Sequence, residues 1–135
     1  MVEKIYVISC NNDLASMGMD RIRTSVEGLE KATLSLDWAN VEIIPVIAAE
    51  KIQVQEGSST IIGIEEIEVP AFAMVFNSYY GSNGMGFASC IGSMTFKKYS
   101  ENRVADKAMF HSQTKAPILP GDLLGQVLVV PGKKK

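Results

Sequence analysis

Metal-binding side chains are scarce in this sequence, which has 2 cysteines and 1 histidine in 135 residues. Cys10 and Cys90 stand far apart, and no Cys-x-x-Cys or Cys/His spacing exists to hold zinc. A metal would have to lean on carboxylates or on several subunits, so no metal site is expected, and the two thiols read as reduced core residues. An excess of basic charge is absent too. Against 15 Asp and Glu there are 13 Lys and Arg, for a formal net charge of −2, which argues against a nucleic-acid partner. The arginines are only Arg21, Arg23 and Arg103. The one basic cluster, Lys133-Lys134-Lys135, closes a segment, 132–135, that reads as a frayed solubilising tail. No apolar run approaches the roughly 20 residues of a membrane helix. Val2–Ile8, broken by Glu3 and Lys4, is too short for a signal peptide. These absences together describe a cytoplasmic protein with no membrane partner, and they name no cofactor.

What is present is a globular composition, 47% hydrophobic and 21% charged, in a chain long enough to bury its own core as one domain over 1–135. The most organised stretch runs from Ala116 to Pro131. Pro117 and Pro120 precede a Gly121-Asp122 turn, and Leu123 to Val130 follows as a strand apolar on both faces before Pro131 stops it. Lys4 to Cys10 is β-branched and aromatic and reads as a strand. Asn11-Asn12-Asp13 ends it, and the pattern then allows either a short helix near 13–20, capped by Asp13, or a strand from Arg21 onward.

Farther on, Leu34, Leu36 and Trp38 alternate with polar residues as a half-buried strand. Val41 to Ile47 carries Pro45 and so belongs at an edge or a bulge. Ile52 and Val54 alternate toward Gly57-Ser58-Ser59, which reads as the loop of a hairpin returning through Thr60 to Ile64. Ile67 and Val69 alternate with Glu66 and Glu68, Ala71 to Phe76 is apolar throughout, Phe87 to Phe96 resumes as a strand, and Val104 to Phe110 returns to the core. Short strands punctuated by Gly, Pro and Asn predict a mainly β fold, a compact barrel or sandwich, with at most one short helix.

Chemistry has few places to reside. The loop 77–86 combines glycines with tyrosines and asparagines, and glycines let backbone N–H groups approach a ligand. Tyr79, Tyr80, Asn83 and Gly84 are the candidate binding residues there, although a surface loop or an oligomer contact would show the same composition. Its glycine order, Gly81-x-x-Gly84-x-Gly86, is neither a dinucleotide fingerprint nor a phosphate loop. His111 is the sole imidazole available for acid–base work. It stands beside Ser112 at a predicted strand end, where a histidine also serves as an ordinary hydrogen-bonding residue. Asp122 is a further candidate, with a structural turn role as the competing reading. Glu65, Glu66 and Glu68 read as a solvated face. No nucleophile–base–orienter set can be read, so an enzyme is not the favoured class and no catalytic residue is assigned.

Two resemblances carry further expectations. Ile64-x-x-Ile67-x-Val69-Pro70, the apolar strand after it, the glycine-rich middle and Pro120-Gly121-Asp122-Leu123-Leu124-Gly125 together resemble the archaeal domain of unknown function family twenty-two, over roughly Trp38 to Val130. That resemblance implies an archaeal source and brings no catalytic residues with it. Separately, Gly121-Asp122-x-x-x-Gln126-Val127-x-Val129 is similar to the Gly-Asp-Arg-Ile-Ala-Gln-Leu segment of the trimeric dUTPases, which are β-clip proteins. The Arg-Ser pair and the Asp-x-x-Tyr-x-Gly turn of those enzymes are missing, and Leu123 stands where their arginine would be. The likeness therefore implies a strand pair and not the chemistry. The functional expectation is a self-associating structural or interaction module, a homo-oligomer. The alternative is a small-ligand-binding protein or enzyme with its site at the loop 77–86.

Overall fold

Short alternating runs broken by turn residues build strands, and strands must find partners for their backbone N–H and C=O groups. The computed structural model describes residues 5–9, 29–78, 82–95 and 97–135. Their strands are β1 (Ile5–Ser9), β2 (Leu29–Leu36), β3 (Glu42–Ile47), β4 (Ile52–Val54), β5 (Ser59–Val69) and β6 (Met74–Asn77), then β7 (Ser82–Asn83), β8 (Gly86–Gly92), β9 (Arg103–Ser112), β10 (Ala116–Ile118), β11 (Leu123–Val130) and β12 (Gly132–Lys134). The fold is mainly β, as its sequence predicts. The predicted helix near 13–20, and the choice between helix and strand after it, lie outside the described residues. Among those residues, no helix is long and apolar enough to cross a membrane.

The described residues form four sheets, in the orders β1-β2-β12, β10-β4, β3-β11-β6 and β5-β9-β8-β7. Among their pairs β1 with β2 is parallel and the others are antiparallel. β11 is a central strand, which is why Leu124, Val127, Val129 and Val130 are all buried. Pro45, lacking an N–H, sits in β3 at the edge of that sheet, opposite Gln126. β9 is central to the largest sheet and sends Ala105, Ala108, Phe110 and Ser112 inward. A single bridge, Ala48–Ile64, ties the end of β3 to β5. The core joins the inner faces through Val46, Val54, Ile62, Phe110, Ile118 and Leu124.

Of barrel and sandwich, the fold takes the sandwich, and three further expectations need correction. The sheets do not close into a barrel: apart from that one bridge, each ends on strands whose outer edges are unpaired among the described residues, and the arrangement is sandwich-like. β4 does not form a hairpin with β5. The turn is present, with the Ser58 N–H donating to the Gln55 carbonyl at 3.1 Å, but Ser112 occupies the turn's own backbone groups. The Gly57 N–H donates to the Ser112 carbonyl, and the Ser112 N–H to the Ser58 carbonyl, each at 2.9 Å. The chain is thus led across β9, and β4 pairs with β10 instead. Trp38 does not continue β2. It opens a 3-10 turn, Trp38–Asn40, in which the Asn40 side-chain amide donates to Asp37 Oδ2 at 2.6 Å.

Finally, the predicted frayed tail is a strand, because β12 pairs with β2 and the Lys135 N–H reaches the Thr33 carbonyl at 3.0 Å. Gly132 permits this: a Cβ there would lie 2.3 Å from the Phe72 carbonyl oxygen. Phe72 itself has φ 65, a region that side chains rarely occupy. It is held by its N–H bond to the Tyr99 carbonyl at 2.8 Å and by an edge-on contact with the Tyr99 ring.

The β10–β11 connection follows its turn chemistry. Gly121 takes φ 93, and Asp122 Oδ2 accepts from the Leu119 N–H at 2.8 Å while the Asp122 N–H donates to the Leu119 carbonyl at 3.0 Å. Asp122→Ala is expected to cost about 1 kcal/mol in urea unfolding, the worth of one such bond. Asp122→Asn, which keeps an acceptor at that position, should recover most of it.

Candidate ligand-binding site

His111 lies near the C-terminal end of β9, on the outward face of the largest sheet, between Ser59 of β5 and Phe87 of β8 in register. Both ring nitrogens are engaged: Nδ1 is 2.8 Å from Ser59 Oγ, and Nε2 is 2.8 Å from Ser89 Oγ. Ser89 reaches the ring because the register of β8 slips between Ala88 and Cys90, and a bulge of this kind re-aims the extra side chain. The Phe87 ring stacks on the imidazole with centroids 5.0 Å apart. The Asn77 side-chain amide fastens the bulge by donating to the Ser89 carbonyl.

The structure places the other sequence-predicted residues as follows. Tyr79 and Tyr80 lie outside the described residues. Asn83 ends β7 opposite Gly86, and Gly84 is exposed in the turn of the β7–β8 hairpin. That hairpin abuts His111, since Phe87 is its direct neighbour and the Gln113 N–H donates to the Met85 carbonyl at 2.8 Å. The stem of the loop 77–86 and His111 therefore meet. Asp122 contributes instead to its own turn and to the β3 end, where its carbonyl accepts from the Ala48 N–H at 2.9 Å. Among the described residues, no group of His, Cys, Asp or Glu is arranged to hold a metal ion.

A concavity lies elsewhere. A cavity of about 770 Å³ opens between β2, the β5–β6 turn, the end of β8 and the start of β9. Leu34, Val69, Val75, Ile91 and Ala105 give it apolar walls, and Ser93, Thr95, Tyr99 and Asn102 add polar groups. Among the described residues its charged lining is Arg103 and Lys97, and no carboxylate lines it. Arg103 is fixed in place: Nη2 donates to the Ala73 carbonyl at 2.8 Å and to the Pro70 carbonyl at 3.1 Å. The Asn102 side chain steadies the same turn by accepting from the Ala71 N–H at 2.9 Å. Burial lowers the Arg103 pKa from its ordinary value by desolvating the charge, yet a guanidinium stays protonated under all ordinary conditions.

Reading for motifs misses this site, because its residues come from four separated segments and match no spacing. A signal was nonetheless present. Arg103 is one of only three arginines in the chain, and it opens a strand that runs at once into Val104 and Ala105.

Comparisons with known proteins extend these observations. A family model described as domain of unknown function DUF22 matches residues 17–115, which takes in every residue lining the cavity and His111. The match stops short of Gly121–Gly125, the motif on which the resemblance in the sequence rests. The chain is also similar to the uncharacterized protein MJ0614 of Methanocaldococcus jannaschii, with 26% identity over 94 residues, 70% of this chain and 72% of that one. No solved structure matches.

Proposed function

The chain belongs to the domain of unknown function DUF22 family, and from that premise we propose that it is a small-molecule-binding module whose site is the cavity beside Arg103. The observation that supports this reading is the cavity itself: about 770 Å³ with apolar walls and a few convergent polar groups. Sites for small molecules typically occupy roughly 300–1,000 Å³ and have this make-up.

A titration of methyl-labelled protein with 1-octanol, followed by NMR, tests the reading. Saturable shifts are expected at Ile91, Val75 and Val69, and they should vanish in Ile91→Trp, whose indole would occupy the space. Shifts spread over the surface without saturation would refute it.

A second observation favours self-association. Strand register sets Ile43, Leu128 and Phe76 in one row on the outer face of the β3-β11-β6 sheet, and the Trp38 ring lies 5.3 Å from that of Phe76. Ile43 is 64% exposed and Trp38 53%. Exposed apolar rows of this kind mark contact surfaces. On this reading a second copy covers the row. Multi-angle light scattering should then report an oligomer for the wild type and a monomer for Ile43→Lys; a monomeric wild type at micromolar concentration would exclude it.

A further inference from the structure

We infer that the occupant of the cavity is an organic acid, with a single carboxylate head at Arg103 and an apolar body against Val69, Val75 and Ile91. This inference rests on reading the cavity as a ligand site and specifies the ligand's chemical class. Three observations carry it. First, among the described residues no carboxylate pairs with Arg103, and the two acceptors it has there, the Pro70 and Ala73 carbonyls, are neutral. A partly buried cation ordinarily has an ionic partner.

Second, the guanidinium is preorganised. The two carbonyl bonds fix Nη2, Nε is buried, and among the described residues nothing bonds Nη1, which is the donor left for an occupant. A carboxylate accepts from such an N–H in a charge-assisted bond, which is stronger than any a neutral acceptor makes.

Third, the remainder of the described lining follows the same sign. Lys97 adds a second positive charge, and Ser93, Thr95 and Asn102 offer donors without adding a negative one. Such a wall repels cations, and its apolar floor disfavours small, fully hydrated anions such as inorganic phosphate. A molecule with one anionic end and one apolar end satisfies both halves.

The test compares three probes of equal chain length on the wild-type protein, below their micellar concentrations: octanoate, 1-octanol and octyltrimethylammonium. Methyl shifts at Ile91 and Val75 report occupancy. Octanoate is expected to bind at least about tenfold more tightly than 1-octanol, the advantage of a charge-assisted bond, and the ammonium not to bind. Added salt should weaken octanoate and leave 1-octanol unchanged.

Arg103→Met should remove the preference, bringing octanoate to the level of 1-octanol, and Arg103→Lys should restore part of it. Because Arg103 also ties the β5–β6 turn, the comparison of probes on unmutated protein decides the matter if Arg103→Met fails to fold. If 1-octanol binds as tightly as octanoate, or the ammonium binds best, the acid is refuted while the cavity remains a ligand site. If none of the three binds, the ligand-site reading falls, and this inference with it.

Discussion

Phe110→Ala is expected to lower the unfolding free energy by about 3–5 kcal/mol, the range for removing a fully buried aromatic side chain. Phe110 is 0% exposed and is the bulkiest of the fully buried residues. It projects from the central strand of the largest sheet, between Thr60 and Ala88 in register, into the cluster shared with Ile62, Ile118 and Leu124. The cavity left behind could collapse only by moving β9, which both neighbouring strands hold in place. Urea denaturation should show a lower midpoint, and thermal unfolding a drop of roughly 10 °C or more. A change under about 1 kcal/mol would mean that Phe110 is not at the centre of the core.

Gly86→Ala should be comparably damaging, for a backbone reason. A Cβ at position 86 would lie 2.1 Å from the His111 carbonyl oxygen and 3.0 Å from Phe110 Cζ. The first contact is with main chain, so no rotamer can relieve it. β8 would have to withdraw from β9 where the bulge, Ser89 and His111 are organised. The expected cost is about 3 kcal/mol, the scale of a forced strain at a paired strand. Combining it with Phe110→Ala should give no relief, since removing the ring leaves the carbonyl in place; recovery in the double variant would identify the ring as the true obstacle. The same variant should disturb the His111 ring resonances, which Phe110→Ala should affect less.

Local signals made much of the fold legible. The apolar run Leu123–Val130 reads as a strand and is central to its sheet, with Leu124, Val127, Val129 and Val130 buried, although the other face is covered less than the run suggests, Leu123 being exposed and Leu128 half-buried. Pro45 reads as an edge residue and stands at an edge. Glu66 and Glu68 read as solvated beside inward Ile67 and Val69, and all four are so disposed. Pairings settled by competition between distant segments were not legible. Nothing within Ile52–Val54 shows that Ala116–Ile118 will become its partner, because the deciding bonds come from Ser112 at the end of a strand more than 50 residues away. The tail misleads for a related reason: three lysines look solvated, yet backbone groups pair regardless of side-chain charge, and Gly132 opens the way for them. Of the candidate residues, His111 could be picked out by its uniqueness, but its two serines could not, since one is set by cross-strand register and the other by a bulge. The cavity at Arg103 was hidden most completely, because a concavity is a property of packed elements and leaves no spacing in the chain.

The clasp at His111 has a consequence of its own. A hydroxyl can give or receive a proton with equal ease, so the ring can carry its hydrogen on either nitrogen while both serines turn to suit. The side-chain stitch joining β5, β9 and β8 thus does not depend on which ring nitrogen carries the hydrogen. Most histidine contacts fix one tautomer, and this one has a serviceable arrangement for either.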